Sequence, residues 1–326
     1  MNKKLCIFGR GWARRFFCVL LLGFLVAPSP SLAERIFKTN STWYEKIPQN
    51  PKIMLNSEKF TDFIMRNSRE LTASFRDWSI PIWRETASTP RYDIKVLDSS
   101  WRVQQGIDLN GWALNVPLPV EAKQAGYGLP GYRDGHMVVI SQDSTVAWDF
   151  FRADVDNKTA HRVCKWDLNA DGILQPYQPQ VTGPSCHVAP TPLLHGLITL
   201  KEIKNGYIDH ALAFGTYSAR KGSKGIYPAV TENSGKSENP WAPELGIRFQ
   251  LNPSLNLDSF KLNRAGKIVA KAMQEYGIIM VINTPPRENN LYAESLDHKG
   301  ESWQGILNDL EIPLHYLRVI DSNNFR

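Results

Sequence analysis

Short segments in which apolar and polar residues alternate follow one another from Trp78 to Phe151, with Pro and Gly between them. Alternation with this period places successive side chains on opposite faces of a β-strand. The segments with this pattern are residues 80–83, 92–96, 112–116, 136–140 and 145–150. Several short strands at such spacing are typical of a sandwich or a barrel.

The rest of the chain adds a small number of helices to this pattern. Apolar residues recur at helical spacing in residues 57–71 and 262–276, and Gly277 follows the second segment as a C-cap. The further predictions are strands at residues 207–217, 278–282 and 316–320 and a short helix at residues 302–310. We therefore expect a mainly β protein, a β-sandwich of the jelly-roll type with a few peripheral helices.

The first 33 residues have the pattern of a cleavable signal peptide. Five basic residues and no acidic one precede or enter an apolar run at residues 18–27, and Ser31-Leu-Ala33 offers small residues to a signal peptidase. The run is about half of the roughly 20 residues that a membrane span needs. We expect cleavage before Glu34, a single β-rich domain at residues 34–326 without an integral membrane segment, and a secreted or periplasmic protein.

The charge of the exported part argues against nucleic acid as a partner. Five of the 38 basic residues and none of the 32 acidic residues lie in the signal, so the net charge falls from +6 to about +1. A nucleic-acid-binding protein needs a concentrated basic surface, and no run of Lys and Arg interleaved with aromatics follows residue 33. We therefore expect no nucleic-acid partner.

Two cysteines, Cys164 and Cys186, remain after the signal is removed. An isolated pair in an oxidising compartment is most simply one disulfide. Neither has a second Cys or a His at the spacing of a zinc site. We expect a disulfide with a structural role.

Two Asp/His pairs are the candidate catalytic residues. Asp134 and His136 begin one predicted strand, and Asp209 and His210 begin another. Alternation places each histidine on the apolar face of its strand, where it is either a core group or a group of a functional site. An adjacent aspartate can orient the imidazole or raise its pKa.

Three chemistries remain open for these groups. If the two strands are neighbours, His136 and His210 supply two metal ligands, and an aspartate such as Asp149 supplies a third. Alternatively, a histidine acts as a base, Tyr132 as a proton donor and Arg133 as a carboxylate clamp, as in β-elimination of a uronic-acid polymer. The third is glycoside hydrolysis by two carboxylates, drawn from the aspartates named above and Glu244.

A possible calcium loop lies between the two cysteines. Asp167, Asn169 and Asp171 provide oxygen ligands at the first, third and fifth positions, and Gly172 stands at the sixth. The twelfth position is Gln178 instead of a bidentate Glu. This pattern indicates at most a structural Ca²⁺ site, and otherwise a turn rich in Asx residues.

Aromatic residues suggest contact with sugars, because sugar rings stack on exposed aromatic faces. Trp83, Trp112 and Trp148 lie in strand patterns and are expected in the core. Trp43 and Trp241 lie in polar or Pro-rich contexts, as does Trp101, and are expected to be exposed.

Several segments of the chain resemble a family of secreted, largely uncharacterised bacterial proteins. The segments are residues 41–43, 134–139 (DGHMVV), 148–150 (WDF), 165–172, 193–203 (including GLITLKEI), 208–214 (IDHALAF) and 272–277. The resemblance implies export and a single-domain organisation, and it implies no activity.

Together these observations favour a secreted enzyme that acts on a polysaccharide. A lyase acting on a uronic-acid-containing polymer is the first expectation, and a glycoside hydrolase is the alternative. The alternative from another class is a non-catalytic envelope or surface protein that binds glycans, in which the same histidines pack in the core.

Overall fold

The computed structural model describes residues 35–37, 41–69, 71–74, 79–99, 103–104, 107–129, 134–173, 186–229, 235–304, 306, 310, 312 and 314–325. All of them lie in the compact unit Leu32–Arg326. The strands are β1 (Thr72–Ser74), β2 (Ile82–Arg84), β3 (Arg91–Tyr92), β4 (Lys95–Val96), β5 (Val103–Gln104), β6 (Ile107–Asp108), β7 (Val116–Pro117), β8 (Met137–Ile140), β9 (Val146–Phe151), β10 (Thr159–Ala160), β11 (Arg162–Asp167), β12 (Leu212–Tyr217), β13 (Arg248–Leu251), β14 (Ile278–Thr284), β15 (Asn289–Tyr292) and β16 (Leu317–Ile320). The α-helices are α1 (Ser57–Asn67), α2 (Leu200–Asn205) and α3 (Arg264–Glu275).

Two sheets carry most of the fold. The larger has six strands in the order β1-β15-β12-β14-β13-β16, and the smaller has four in the order β11-β9-β8-β2. Both are mixed: β12 pairs with β14 in parallel and with β15 antiparallel, while β8 pairs with β2 in parallel and with β9 antiparallel. Strand residues outnumber helical residues and the sheets are curled, which confirms the prediction of a mainly β protein with few helices.

The two sheets are joined through the segment that leads into β2. Ile80 forms a bridge with Glu294, just beyond β15, and donates its N–H to the Ala293 carbonyl oxygen at 3.1 Å. Two residues later the chain enters the four-stranded sheet as β2. Ile80 is fully buried, so the core continues from one sheet to the other at this point.

The central strands are buried on both faces. All four residues of β8 are buried, and so are the first five of β12 and the first five of β14. Such strands read as continuous apolar runs rather than alternating ones. The expectation that β8 has one inward and one outward face was therefore wrong, and both His136 and its neighbour Met137 are buried.

Helix α3 carries caps at both of its ends. Asn263 accepts the Gly266 N–H at the start of α3, and Gly277 follows its end with a φ of +80°, a conformation in which glycine has no steric cost. The prediction for α3 is thus confirmed within two residues. Helix α1 begins at the predicted residue but ends at Asn67, because Ser68 is extended.

Some predicted elements differ from the structure. Residues 92–96 contribute to two strands, β3 and β4, rather than to one, because β3 pairs with β7 and β4 pairs with β10. Residues 111–113 form a 3₁₀ turn before β7. Within the predicted helix at 302–310, the described residues 302–304, 306 and 310 are not helical.

The described residues contain no helix that combines the length and the apolar character needed to cross a membrane.

Tryptophan positions follow the expectations in part. Trp83 and Trp148 are buried as expected, and Trp241 is half-buried. Trp43, expected at the surface, is fully buried, and Trp101 lies outside the described residues.

Candidate functional site

One face of the four-stranded sheet collects the polar groups of the candidate site. Asp149 in β9 lies opposite Val138 in β8 and opposite Cys164 in β11. Directly opposed residues share a face, and so do residues two apart on one strand. His136, two residues before Val138, therefore lies on the same face as Asp149 and Cys164.

Asp149 is a carboxyl group in the core, with an exposed fraction of 0%. Its Oδ2 accepts hydrogen bonds from Trp166 Nε1 and from the Leu193 N–H, both at 2.7 Å. Its Oδ1 is buried and has no hydrogen-bond partner among the described residues. Burial raises the pKa of Asp149 from 3.8 to about 7, against the lowering effect of the two donors, so the group exchanges its proton near neutral pH.

His136 is buried as well, with an exposed fraction of 1%. Its Nε2 lies 3.1 Å from the Cys186 carbonyl oxygen, which can only accept, so Nε2 carries the ring hydrogen. Nδ1 therefore carries the lone pair, and within the described part of the chain it has no hydrogen-bond partner. Burial lowers the pKa of His136 and outweighs the raising effect of Asp134 and of the Cys186 carbonyl, so the ring is a neutral base.

The two cysteines lie beside this pair. Their Sγ atoms are 2.8 Å apart, both residues are free thiols, and both are buried. Burial raises the pKa of each thiol, which makes the thiolate scarce. The Cys186 thiol also donates a hydrogen bond to the Asp149 carbonyl oxygen at 3.4 Å. The structure thus brings the two cysteines that were predicted to form a disulfide into contact, and the disulfide itself stays a prediction.

We expect Cys164 and Cys186 to form a disulfide in protein recovered from an oxidising compartment. Unreduced protein, unfolded and treated with an alkylating reagent, then takes up no label, and its intact mass is two hydrogens below that of reduced protein. Reduction lowers the free energy of unfolding by roughly 3 kcal/mol, and a Cys164→Ser/Cys186→Ser variant does not respond to reductant. Labelling of both thiols without reduction would contradict the expectation.

His187 adjoins His136, Tyr292 in turn adjoins His187, and neither residue was predicted. The His187 ring centroid lies 6.1 Å from that of His136 and 5.7 Å from that of Tyr292. Burial lowers the pKa of His187 to about 3, and burial raises the pKa of the Tyr292 phenol. The only sequence signal for His187 is its position next to Cys186, and nothing in the local pattern places Tyr292 of β15 beside it.

His210 lies in a different environment, between two acceptors. Its Nε2 is 2.8 Å from Glu202 Oε1, and its Nδ1 is 2.9 Å from the Ala211 carbonyl oxygen. Burial alone would lower the pKa of His210. Glu202 and the Ala211 carbonyl raise it by more than burial lowers it, so the net shift is upward. The ring is therefore an imidazolium in a buried ion pair, and its partner is not the adjacent Asp209, which pairs with Arg35 at 3.4 Å.

Glu202 is held in place by the start of α2. Thr199 is the N-cap, its hydroxyl accepts the Glu202 N–H, and the Glu202 carboxylate accepts from the Thr199 N–H in return. Burial would raise the pKa of Glu202, but His210 and Thr199 lower it overall. The Thr-x-x-Glu spacing of a capping box was the sequence signal that could have identified this residue.

The structure does not bring the two predicted Asp/His pairs together. His136 precedes β8 in the four-stranded sheet, and His210 precedes β12 in the six-stranded sheet. The two-imidazole metal site required neighbouring strands, and that condition is not met. Among the residues that the structure describes, no three His, Cys, Asp or Glu side chains are grouped as metal ligands.

His195 is a buried histidine that the sequence reasoning did not single out. Its ring lies 4.3 Å from the Phe37 ring and is stacked 5.1 Å from Trp43, and it fills the space in front of Gly172, where a Cβ would overlap it. Neither ring nitrogen has a hydrogen-bond partner in the described ranges. Burial lowers the pKa of His195 well below its usual value, so the ring is neutral.

The candidate calcium loop forms two local turns. In the candidate calcium loop, Asp167 Oδ1 accepts the Asn169 N–H at 2.8 Å, and Asp171 Oδ1 accepts the Ile173 N–H at 2.9 Å. These are the bonds of Asx turns, and they leave lone pairs on both carboxylates. Gln178, Tyr132 and Arg133 lie outside the described residues. Asp134 is half-buried near His136.

The site therefore consists of a carboxyl group that exchanges its proton near neutral pH, Asp149, and a neutral imidazole, His136, on one face of a sheet, together with two thiols and a second imidazole. Protein-family models, curated proteins and solved structures give no match to this chain.

Proposed function

We propose that the chain is an exported acid–base enzyme that acts on a polysaccharide, with His136 as the base and Asp149 as the acid. The observation that carries this proposal is the state of their unpartnered atoms. Nδ1 of His136 holds a lone pair, and Oδ1 of Asp149 is free to hold the proton of a carboxyl whose pKa is about 7. A general acid is most efficient when its pKa lies near the working pH, as that of Asp149 does.

The reaction that uses such a pair without a further nucleophile is β-elimination from a uronic-acid-containing polymer. His136 takes the proton from the carbon next to the uronate carboxylate, and the electrons of that C–H bond form a C=C bond. The glycosidic C–O bond breaks, and Asp149 supplies a proton to the leaving oxygen. Tyr132 and Arg133, four and three residues before His136 in the sequence, complete the proposal as a second proton donor and a carboxylate clamp.

Glycoside hydrolysis is less well supported than elimination. Asp149 has the raised pKa of a general acid, but hydrolysis needs a second, ionised carboxylate across the scissile bond. Of the candidates, Asp209 pairs with Arg35 and Glu244 pairs with Arg220. Asp134, near His136, is therefore the remaining candidate for the second carboxylate of a hydrolase.

A non-catalytic envelope protein that binds glycans is the second candidate function. The observation that favours it is burial: Asp149, His136 and His210 are exposed by 0%, 1% and 8%. Side chains this deep in a core stabilise a fold, and in this alternative glycan contact takes place at surface residues.

The test is turnover of a panel of neutral and uronic-acid polysaccharides, read by the absorbance of unsaturated products and by new reducing ends. We expect both signals from the wild type, and a loss of about 10²–10⁴-fold in kcat in Asp149→Asn and in His136→Gln. Both replacements keep polar groups for the neighbouring donors or acceptors, so the melting temperature reports whether the fold is intact. Glu121→Gln, which changes an exposed side chain that forms no ion pair among the described residues, is the matched control.

The outcomes separate the candidates. Reducing ends without absorbance identify a hydrolase. Binding of a polysaccharide without either signal, unchanged in the two variants, identifies the non-catalytic protein and contradicts the acid–base proposal.

A further inference from the structure

A cleft of about 300 Å³ lies on the surface between α1 and the chain leading into β16. Ser57 and Thr61 of α1 form part of its lining, and both are tied to β16: Ser57 Oγ accepts the Val319 N–H at 2.7 Å, and Thr61 Oγ1 donates to the Leu317 carbonyl oxygen at 3.3 Å. The two walls are therefore fixed relative to each other. The volume is at the lower end of small-molecule sites, which hold about 300–1,000 Å³.

The α1 wall of the cleft is acidic. Glu58 and Asp62 are four residues apart, so both face the cleft from one side of the helix. Both are exposed, and within the described part of the chain neither forms an ion pair or a side-chain hydrogen bond. Two like charges at this spacing repel each other slightly. Glu58 lies in the first turn of α1, where the helix dipole favours a negative charge, whereas Asp62 lies beyond that turn.

The opposite wall is basic. Arg318 and His315 line it, and Arg318 is half-buried. The Arg318 guanidinium donates from Nε and Nη2 to the Gln250 amide oxygen, at 2.9 and 2.7 Å. That oxygen carries no net charge, and no carboxylate among the described residues forms an ion pair with Arg318. The arginine therefore keeps its charge unneutralised and has further donors for an anion.

The cleft thus separates opposite charges that do not meet. Glu58 and Asp62 form no ion pair with Arg318 or His315 across it, although ion pairs form freely elsewhere on this surface, as between Lys52 and Asp321. A metal ion at the acidic wall would be repelled by the positive charge of Arg318. A phosphate at Arg318 would be repelled by the two carboxylates. A neutral sugar leaves all the charges uncompensated. Only a ligand that carries both signs satisfies both walls.

We propose that this cleft binds a small zwitterion, an amino acid or a short peptide, with its ammonium group at Glu58 and Asp62 and its carboxylate at Arg318. The proposal goes beyond the polysaccharide function, because none of its residues belongs to the Asp149 and His136 site. The two proposals therefore fail or succeed separately.

The test is calorimetric titration of the purified chain with alanyl-alanine and with two blocked forms of it. N-acetylation removes the ammonium group, and C-terminal amidation removes the carboxylate. We expect the free dipeptide to bind at least tenfold more tightly than either blocked form. In Glu58→Gln/Asp62→Asn the advantage over the acetylated form disappears, and in Arg318→Gln the advantage over the amide disappears.

Control variants keep the test decisive. Arg318→Lys keeps the charge and should keep the preference for the free carboxylate, and thermal melting shows whether loss of the Gln250 contact unfolds Arg318→Gln. Glu121→Gln should bind as the wild type does. Equal affinity for all three peptides, no change in Glu58→Gln/Asp62→Asn, or no heat with millimolar alanyl-alanine overturns the proposal. Polysaccharide turnover should be unaffected in Glu58→Gln/Asp62→Asn.

Discussion

Replacing His210 by alanine should lower the free energy of unfolding by about 3–5 kcal/mol, because it leaves the Glu202 carboxylate charged, buried and without its cation. The imidazolium form has a raised pKa, so its stabilisation is complete below about pH 6.5. It is lost as the pH rises through the higher pKa of the folded state. Urea denaturation of both proteins at pH 5.5 and pH 8.5 measures the effect, which should be larger at the lower pH.

Two variants identify the source of this loss. Glu202→Gln in the His210→Ala background removes the uncompensated charge and should recover part of the stability. Asp209→Asn removes a contact with the half-exposed Arg35 and the smallest of the contributions that raise the pKa of His210, so it should cost less stability than His210→Ala does. If His210→Ala instead kept its stability and lost polysaccharide turnover, His210 would be a catalytic residue and not a structural one.

Asp149→Asn should stabilise the protein at alkaline pH. Burial raises the pKa of Asp149 to about 7, so the folded state holds a proton that the unfolded state releases near pH 3.8. The wild type therefore loses stability between about pH 4 and pH 7, and the loss levels off above that range. A shift of about three pKa units corresponds to about 4 kcal/mol.

Denaturation curves from pH 4 to pH 8 test this expectation. The two proteins should be similarly stable at pH 4, and the Asn variant should be more stable at pH 8 by up to this amount. Other titrating groups affect both proteins equally, so the difference between the two curves isolates Asp149. Parallel curves would show that the carboxyl group titrates at an ordinary pKa.

Local patterns predicted the elements that form from neighbouring residues. Helix α3 has both an apolar stripe and its caps in the sequence, and β9 was predicted within one residue. The strands of residues 91–96 are set by two distant partner strands, since β3 pairs with β7 and β4 pairs with β10. Local alternation carries no information about such pairing, so one long strand was predicted there.

The candidate site could be predicted only in its residue types. His136 and Asp149 were both selected from the sequence, but the register that places Val138 opposite Asp149 decides that they share a face. His210 was paired with Asp209 because the two are adjacent, whereas neighbours along an extended chain point in opposite directions. Its real partner, Glu202, comes from a capped helix eight residues earlier.

The ties between α1 and β16 have a consequence for the order in which the molecule can assemble. The hydrogen bond from the Val319 N–H to Ser57 joins residues 262 positions apart, and Ile53 is bridged to Ile320. Contacts of such sequence separation form late and slow folding. Until β16 is present, α1 lacks its hydrogen-bond partners in that strand, and the six-stranded sheet lacks one of its edge strands. The packing of α1 against β16 and the closure of that edge of the six-stranded sheet are therefore completed in the same step.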